Sequence, residues 1–185
     1  MKVFRTRLPS STAGYVEKAR EYPVSAAFTA AAGVMAVAAF EDFRRLVIPN
    51  LLPIVLCALW PVYFAFAPSF YGALTAIGCA LAVFLVGAVL FARGWLGGGD
   101  VKLLSAATLW AGPAGTPTLL MLTGVLGGAL ALFLLMPFGG QIAMATRALL
   151  GQPSMSTERG LATPVPYGVA IAGAALIVVL SPHFG

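Results

Sequence analysis

The chain has 185 residues, 60% of them hydrophobic and 9% charged, with a formal net charge of +5 and a mean hydropathy of +0.95. A soluble domain carries roughly 25% charged residues, so this chain cannot present an adequate surface to water, and lipid is the solvent for most of it. Nor does the positive charge point to nucleic acid: the basic residues are scattered through the tail and loops, as cations flanking membrane helices are.

The expected fold is all-α, a single polytopic membrane bundle of about six transmembrane helices, since one span needs about 20 mostly apolar residues. Residues 1–22 are polar and carry Lys2, Arg5, Arg7, Lys18 and Arg20. Ala36-Val37-Ala38 has the small-residue spacing of a signal-peptide cleavage site, but the charged stretch before it is too long for one. This tail reads instead as a surface-lying amphipathic segment, or as the product of a start placed too early. From Tyr22 to Phe40 run 19 uncharged residues, one helix; from Leu46 to Ala92 run 47, enough for two, with Ala67-Pro68-Ser69 as the turn. From Leu103 to Thr146 run 44, again two crossings, broken across Gly112-Pro113-Ala114-Gly115-Thr116-Pro117, and a last apolar run follows Arg159. The helices are expected near 23–41, 51–67, 70–92, 100–112, 117–138 and 164–181. The fourth, at about 20 Å, is too short to cross 30 Å of hydrocarbon alone. Cys57 and Cys79 lie inside apolar runs without CxxC spacing and read as core fillers rather than a disulfide or metal site.

The chain's only two aspartates are Asp42, just after the first expected helix, and Asp100, just before the fourth. Two spans separate them, so they face the same side of the membrane whatever the orientation. That side also holds Arg44, Arg45, Arg93, Lys102, Arg147 and Arg159, against the five basic residues of the tail. With the tail discounted, the positive-inside rule makes the aspartate side cytoplasmic.

Alone, Asp42 reads as an ion-pair partner of Arg45 three residues on, and Asp100 as an N-cap after Gly97-Gly98-Gly99. Glu41 reads as an interfacial end residue. Together, on one membrane face, the two aspartates point to a paired-acid site, because ionisable groups at membrane depth are costly and usually functional. Two carboxylates in hydrogen-bonding reach share one proton; the ionised one can take a proton from water while the other polarises a peptide carbonyl. That chemistry needs no metal, cofactor or covalent intermediate, and the sequence offers no zinc constellation. The single histidine, His183, stands far from any such arrangement. Glycines beside the acid let a substrate backbone approach it, and Lys102 balances local charge or snorkels to the interface.

Gly97-Gly98-Gly99-Asp100-Val101-Lys102 resembles the GxGDxK signature of type IV prepilin peptidases. Asp42 to Asn50 resembles the family's other block, an aspartate followed by basic residues and Ile48-Pro49-Asn50, and Pro166-Tyr167-Gly168 resembles a segment that opens the last helix of short members. The resemblance covers about residues 30 to 175. It implies an aspartic endopeptidase of the bacterial inner membrane, with residues 23–185 as its transmembrane peptidase domain, that removes the basic leader from prepilins at the cytoplasmic face. Asp42 and Asp100 are then the catalytic pair, and Gly97, Gly98, Gly99, Lys102, Arg45, Pro49, Asn50, Tyr167 and Gly168 bind substrate or shape the site. Pro49 and Asn50 would start and cap the second helix. Longer members carry a cytoplasmic domain with two CxxC pairs after the first helix and also N-methylate the new pilin terminus. No such insertion stands here, so the chain is similar to the short CpaA/TadV-like form of tight-adherence (Flp-type) pilus systems, without methyltransferase activity. The substrate would be an Flp-type pilin or pseudopilin. The same acids also suit a proton-coupled transporter or channel subunit. Gly124, Gly127 and Gly128 could support a homodimer, although packing within the chain is the reading preferred.

Overall fold

The computed structural model describes residues 10–66, 70–136, 141, 145 and 165–181; of residues 10–24 and 66 it describes the backbone alone. The expected tail before residue 10, the turn at 67–69, and Arg147, Glu158, Arg159 and His183 lie outside the described residues. Among the described residues five helices are seen over more than a single position: α1 (Ser10–Arg45), α2 (Leu51–Phe66), α3 (Phe70–Ala92), α4 (Gly98–Leu135) and α5 (Tyr167–Val179). The fold is all-helical among the described residues. Three of these helices hold stretches long and apolar enough to cross a membrane, Ser25–Arg45, Phe70–Ala92 and Gly98–Leu135, while α2 and α5 are shorter apolar helices.

One expectation needs correction. The first helix begins at Ser10, well before residue 23, because hydropathy finds the lipid-facing part of a helix and not its polar extension. The fourth and fifth expected helices are found as the two arms of α4, separated by a kink at Gly112, whose φ of 63° and ψ of −177° lie outside the helical region. A left-handed φ costs a residue with a side chain about 1 kcal/mol or more, so glycine belongs there. Pro113 follows it, in a place where a missing N–H breaks no helical bond. Pro117 does not start a new helix; it sits inside the second arm, and the Thr116 hydroxyl donates to the Gly112 carbonyl at 2.6 Å.

The second arm doubles back. A straight α4 would carry Gly127 roughly 40 Å from Asp100. Instead Gly127 packs against the ring of Tyr167, and the next residue, Gly168, packs against Asp42. The two arms are therefore antiparallel.

Small residues bring the helices together. α1 contributes Ala27, Ala31, Met35 and Ala38 to the core at helical spacing, and α5 contributes Ala170, Ile171, Ala172, Ala174 and Ala175. In lipid there is little hydrophobic force between helices, so close approach and dispersion carry the packing, which alanine and glycine permit. α5 lies between α1 and α4. Outward, α3 exposes Leu74, Leu81, Leu85, Val86 and Val89, a surface that only hydrocarbon solvates well. Hydroxyls within the spans donate to the carbonyl one turn back: Thr29 to Ser25, Ser105 to Val101 and Thr108 to Leu104. At one end Phe28, Tyr63 and Trp110 pack edge to face or tilted, and the Trp110 indole donates to the Leu56 carbonyl at 3.0 Å. The acids lie at the other.

Candidate active site

Asp42 stands in the last turn of α1. The helix ends at Arg45 because Leu46 adopts a φ of 53° and donates its N–H to the Asp42 carbonyl at 2.8 Å. This is the five-to-one bond of a left-handed C-terminal cap, with leucine where glycine is usual; strain of about 1–3 kcal/mol is held there. The turn sends Ile48 back into the bundle, where it is only 6% exposed.

Ile48 is wedged between two glycines. A Cβ built on Gly99 would lie 3.1 Å from its Cβ, and one built on Gly168 would lie 2.7 Å from its Cδ1. The same Cβ on Gly168 would lie 2.9 Å from both Cγ and Oδ2 of Asp42. The Asp42 carboxyl, 5% exposed, thus rests on the bare backbone at the start of α5.

Asp100 is positioned differently. α3 ends at Ala92 and is closed at Gly94 (φ 74°), with Gly94 N–H donating to the Phe91 carbonyl and Trp95 N–H to that of Leu90, both at 2.9 Å. This paired closure turns the chain toward α4. Gly97, extended at φ −71° and ψ 142°, is the N-cap, so Asp100 is the third residue of the helix and not its cap. Its carboxyl accepts a hydrogen bond from the Gly97 N–H, the reciprocal half of a capping box. A Cβ on Gly97 would lie 2.7 Å from Asp100 Oδ2, which explains the glycine. Gly98 instead meets the Phe91 ring, 3.2 Å from where its Cβ would be.

The two carboxyl groups are close enough for their charges to act on one another. A second link joins the two sequence blocks: Lys102 Nζ donates to Asn50 Oδ1 at 2.8 Å. Asn50 immediately precedes α2, but this oxygen serves Lys102 rather than the first turn of its own helix. Pro49 is exposed, and its carbonyl accepts from the Leu52 N–H at 3.1 Å.

Three residues singled out in the sequence make other contacts. Arg45 pairs with Glu41 at 3.2 Å and its side chain is 60% exposed, so the expected alternative of an Asp42–Arg45 ion pair is replaced by its neighbour's. Arg44 lies over the Phe40 ring, 5.4 Å from its centre. Tyr167 turns its ring onto Gly127 of the second arm. Gly97, Gly99 and Gly168, by contrast, each touch an acid or the residue wedged beside one. In the sequence Ile48 reads only as part of a block; its burial between two glycines, each more than fifty residues away, leaves no local sequence signal.

A family model described as the type IV leader peptidase family matches residues 29–132, a stretch that includes both aspartates. That match covers more than half of the chain, and the chain belongs to the type IV leader peptidase family. No curated protein and no solved structure matches it significantly.

Proposed function

We propose that the protein is a prepilin leader peptidase of aspartic type, with Asp42 and Asp100 as its catalytic pair. The observation that carries this reading is that the two carboxyls stand at one end of the bundle, close enough for their charges to act on one another, in a chain of a leader peptidase family. The pair holds one proton between them. The ionised carboxylate takes a proton from water as that water adds to the peptide carbonyl, and the protonated carboxyl donates to the carbonyl oxygen. The resulting tetrahedral diol then breaks its C–N bond, the leaving nitrogen taking a proton from the carboxyl that removed it from water while a diol hydroxyl returns its proton to the other carboxylate, which leaves a carboxylic acid, an amine and the pair with one proton as before.

Glycines at 97, 98 and 99 leave the backbone bare beside Asp100, which suits a substrate strand lying against it. Arg44, Arg45, Arg93 and Lys102 gather at the acid end, which supports a cytoplasmic site at the inner membrane. α1 and α2 are joined by residues 46–50 alone. That short connection supports a peptidase of the Flp type, acting on type IVb precursors without N-methyltransferase activity.

The test is co-expression with a type IVb pilin precursor and an assay of leader removal by gel mobility. Asp42→Asn and Asp100→Asn should each abolish processing at unchanged protein level. Normal cleavage by either variant sinks the paired-acid mechanism.

A further inference from the structure

We propose that Ile48 is a positioning residue for peptide cleavage, its side chain setting the spacing between the segment that bears Asp42 and the helix start that bears Asp100; the proposal rests on the peptidase reading above. Ile48 lies in the short connection between α1 and α2, where Val47 and Pro49 on either side of it are exposed, yet it is buried. Its two ends meet different elements. A Cβ on Gly99, the residue before Asp100, would lie 3.1 Å from Ile48 Cβ and 3.6 Å from its carbonyl oxygen. A Cβ on Gly168, at the start of α5, would lie 2.7 Å from Ile48 Cδ1 and 2.9 Å from Asp42 Cγ. The side chain therefore reaches from the backbone beside one acid to the glycine that backs the other.

Such a wedge sets a distance. Both of its contacts are with bare backbone, so no side chain stands between that could yield, and a packed interior passes small changes of volume on to its neighbours. The connection is braced as well. Leu46 donates to the Asp42 carbonyl at its start, and Asn50 accepts from Lys102 of α4 at its end. A positive φ at a leucine persists only where the surroundings over-determine it, and Ile48, held between two helix starts two residues on, supplies that constraint. The chemistry makes the distance matter: two carboxyls that share a proton must address one water and one carbonyl together. A displacement of about 1 Å can cost on the order of a hundredfold in rate. Because Ile48 touches what supports the acids, its loss falls on kcat and spares KM.

The experiment uses the full chain in liposomes with an intact pilin precursor, the variants compared at equal amounts of folded protein. Ile48→Ala should lower kcat about thirtyfold, with KM within about twofold of wild type. Leu119→Ala, at a fully buried position in the second arm of α4, also opens a cavity and should leave both constants within about twofold. Two double variants separate the ends of the wedge. Valine lacks Cδ1 but keeps Cβ, so Ile48→Val makes room for the methyl of Gly168→Ala and none for that of Gly99→Ala. Adding Ile48→Val should restore the kcat of Gly168→Ala at least tenfold and leave that of Gly99→Ala unimproved. Wild-type kcat in Ile48→Ala overturns the proposal, as does an equal loss in Leu119→Ala. So does Ile48→Val restoring neither glycine variant, or both alike; should Ile48→Ala not fold, these doubles decide. Asp42→Asn and Asp100→Asn in the same assay keep the two readings apart. Cleavage by either sinks the paired-acid mechanism itself, whereas inactivity of both beside wild-type behaviour of the Ile48 variants removes only the spacing role.

Discussion

Gly168 and Gly97 differ from the other glycines of the helices in what an added methyl group would meet. At Gly168 it would press on the Asp42 carboxyl and on Ile48, at Gly97 on the Asp100 carboxyl, whereas at Gly78 and Gly124 nothing lies within 4 Å. Asp42 has little room to retreat, being buried among helix ends. Gly168→Ala should therefore move that carboxyl, and a misplacement of about 1 Å can cost on the order of a hundredfold in rate. Gly124→Ala should stay within about twofold of wild type. Comparing kcat/KM for the two on one precursor, at matched membrane levels, checks the argument; a fully active Gly168→Ala protein would mean that Asp42 need not sit where it does. The glycine in its Pro-Tyr-Gly setting was visible in the sequence. Its reason was not, because the carboxyl it accommodates is more than a hundred residues away and no local pattern encodes that approach. The same limit hid Ile48, whose side chain reads as one more apolar residue until two remote glycines are placed against it.

The elements show why some boundaries were legible and others were not. The charge gap and the Ala67-Pro68-Ser69 turn place α3 at 70–92, where it is found, because an all-apolar run ended by Arg93 and Gly94 carries both its solvent and its stop signal. The break in α4 was also announced by glycine and proline, but over six residues, whereas the backbone departs from helix only at Gly112. At that bend the Thr116 hydroxyl donates to the Gly112 carbonyl. Gly112→Ala should thus destabilise the protein by about 1–2 kcal/mol through its positive φ. Gly78→Ala, in the middle of α3 with open space around it, should stabilise by roughly 0.5–1 kcal/mol. Thermal unfolding of the detergent-solubilised variants distinguishes them, and equal midpoints would show that the turn at 112 is not strained by a side chain. The polar first part of α1 escaped the sequence reading for the opposite reason: helix-forming residues such as Ala19 and Arg20 extend a helix without lengthening its apolar run.

For the molecule as a whole, the arrangement depends on a parity. Asp42 and Asp100 can meet only if α2 and α3 make one return trip, and Tyr167 can reach Gly127 only if α4 makes another at Gly112. The acids then share one end, and the Phe28–Tyr63–Trp110 cluster occupies the other, roughly 20 Å away along α1. The three outward residues Val47, Trp95 and Tyr71 report on this directly. Val47 follows α1 and Trp95 precedes α4 at the acid end, while Tyr71 lies at the start of α3, at the far end; all three are well exposed. In a protein carrying Cys57→Ser and Cys79→Ser, Val47→Cys and Trp95→Cys should react with a membrane-impermeant maleimide from one side of a sealed vesicle. Tyr71→Cys should react from the other. Labelling of Tyr71→Cys from the same side as Val47→Cys would break the return through α2 and α3. The meeting of the acids would then have to arise within a single leaflet, without crossing. If the acid end is the one that reacts in inverted membrane vesicles, the positive-inside reading of Arg44, Arg45, Arg93 and Lys102 is correct as well. A substrate would then present its leader from the cytoplasm while its apolar stretch remains in the bilayer.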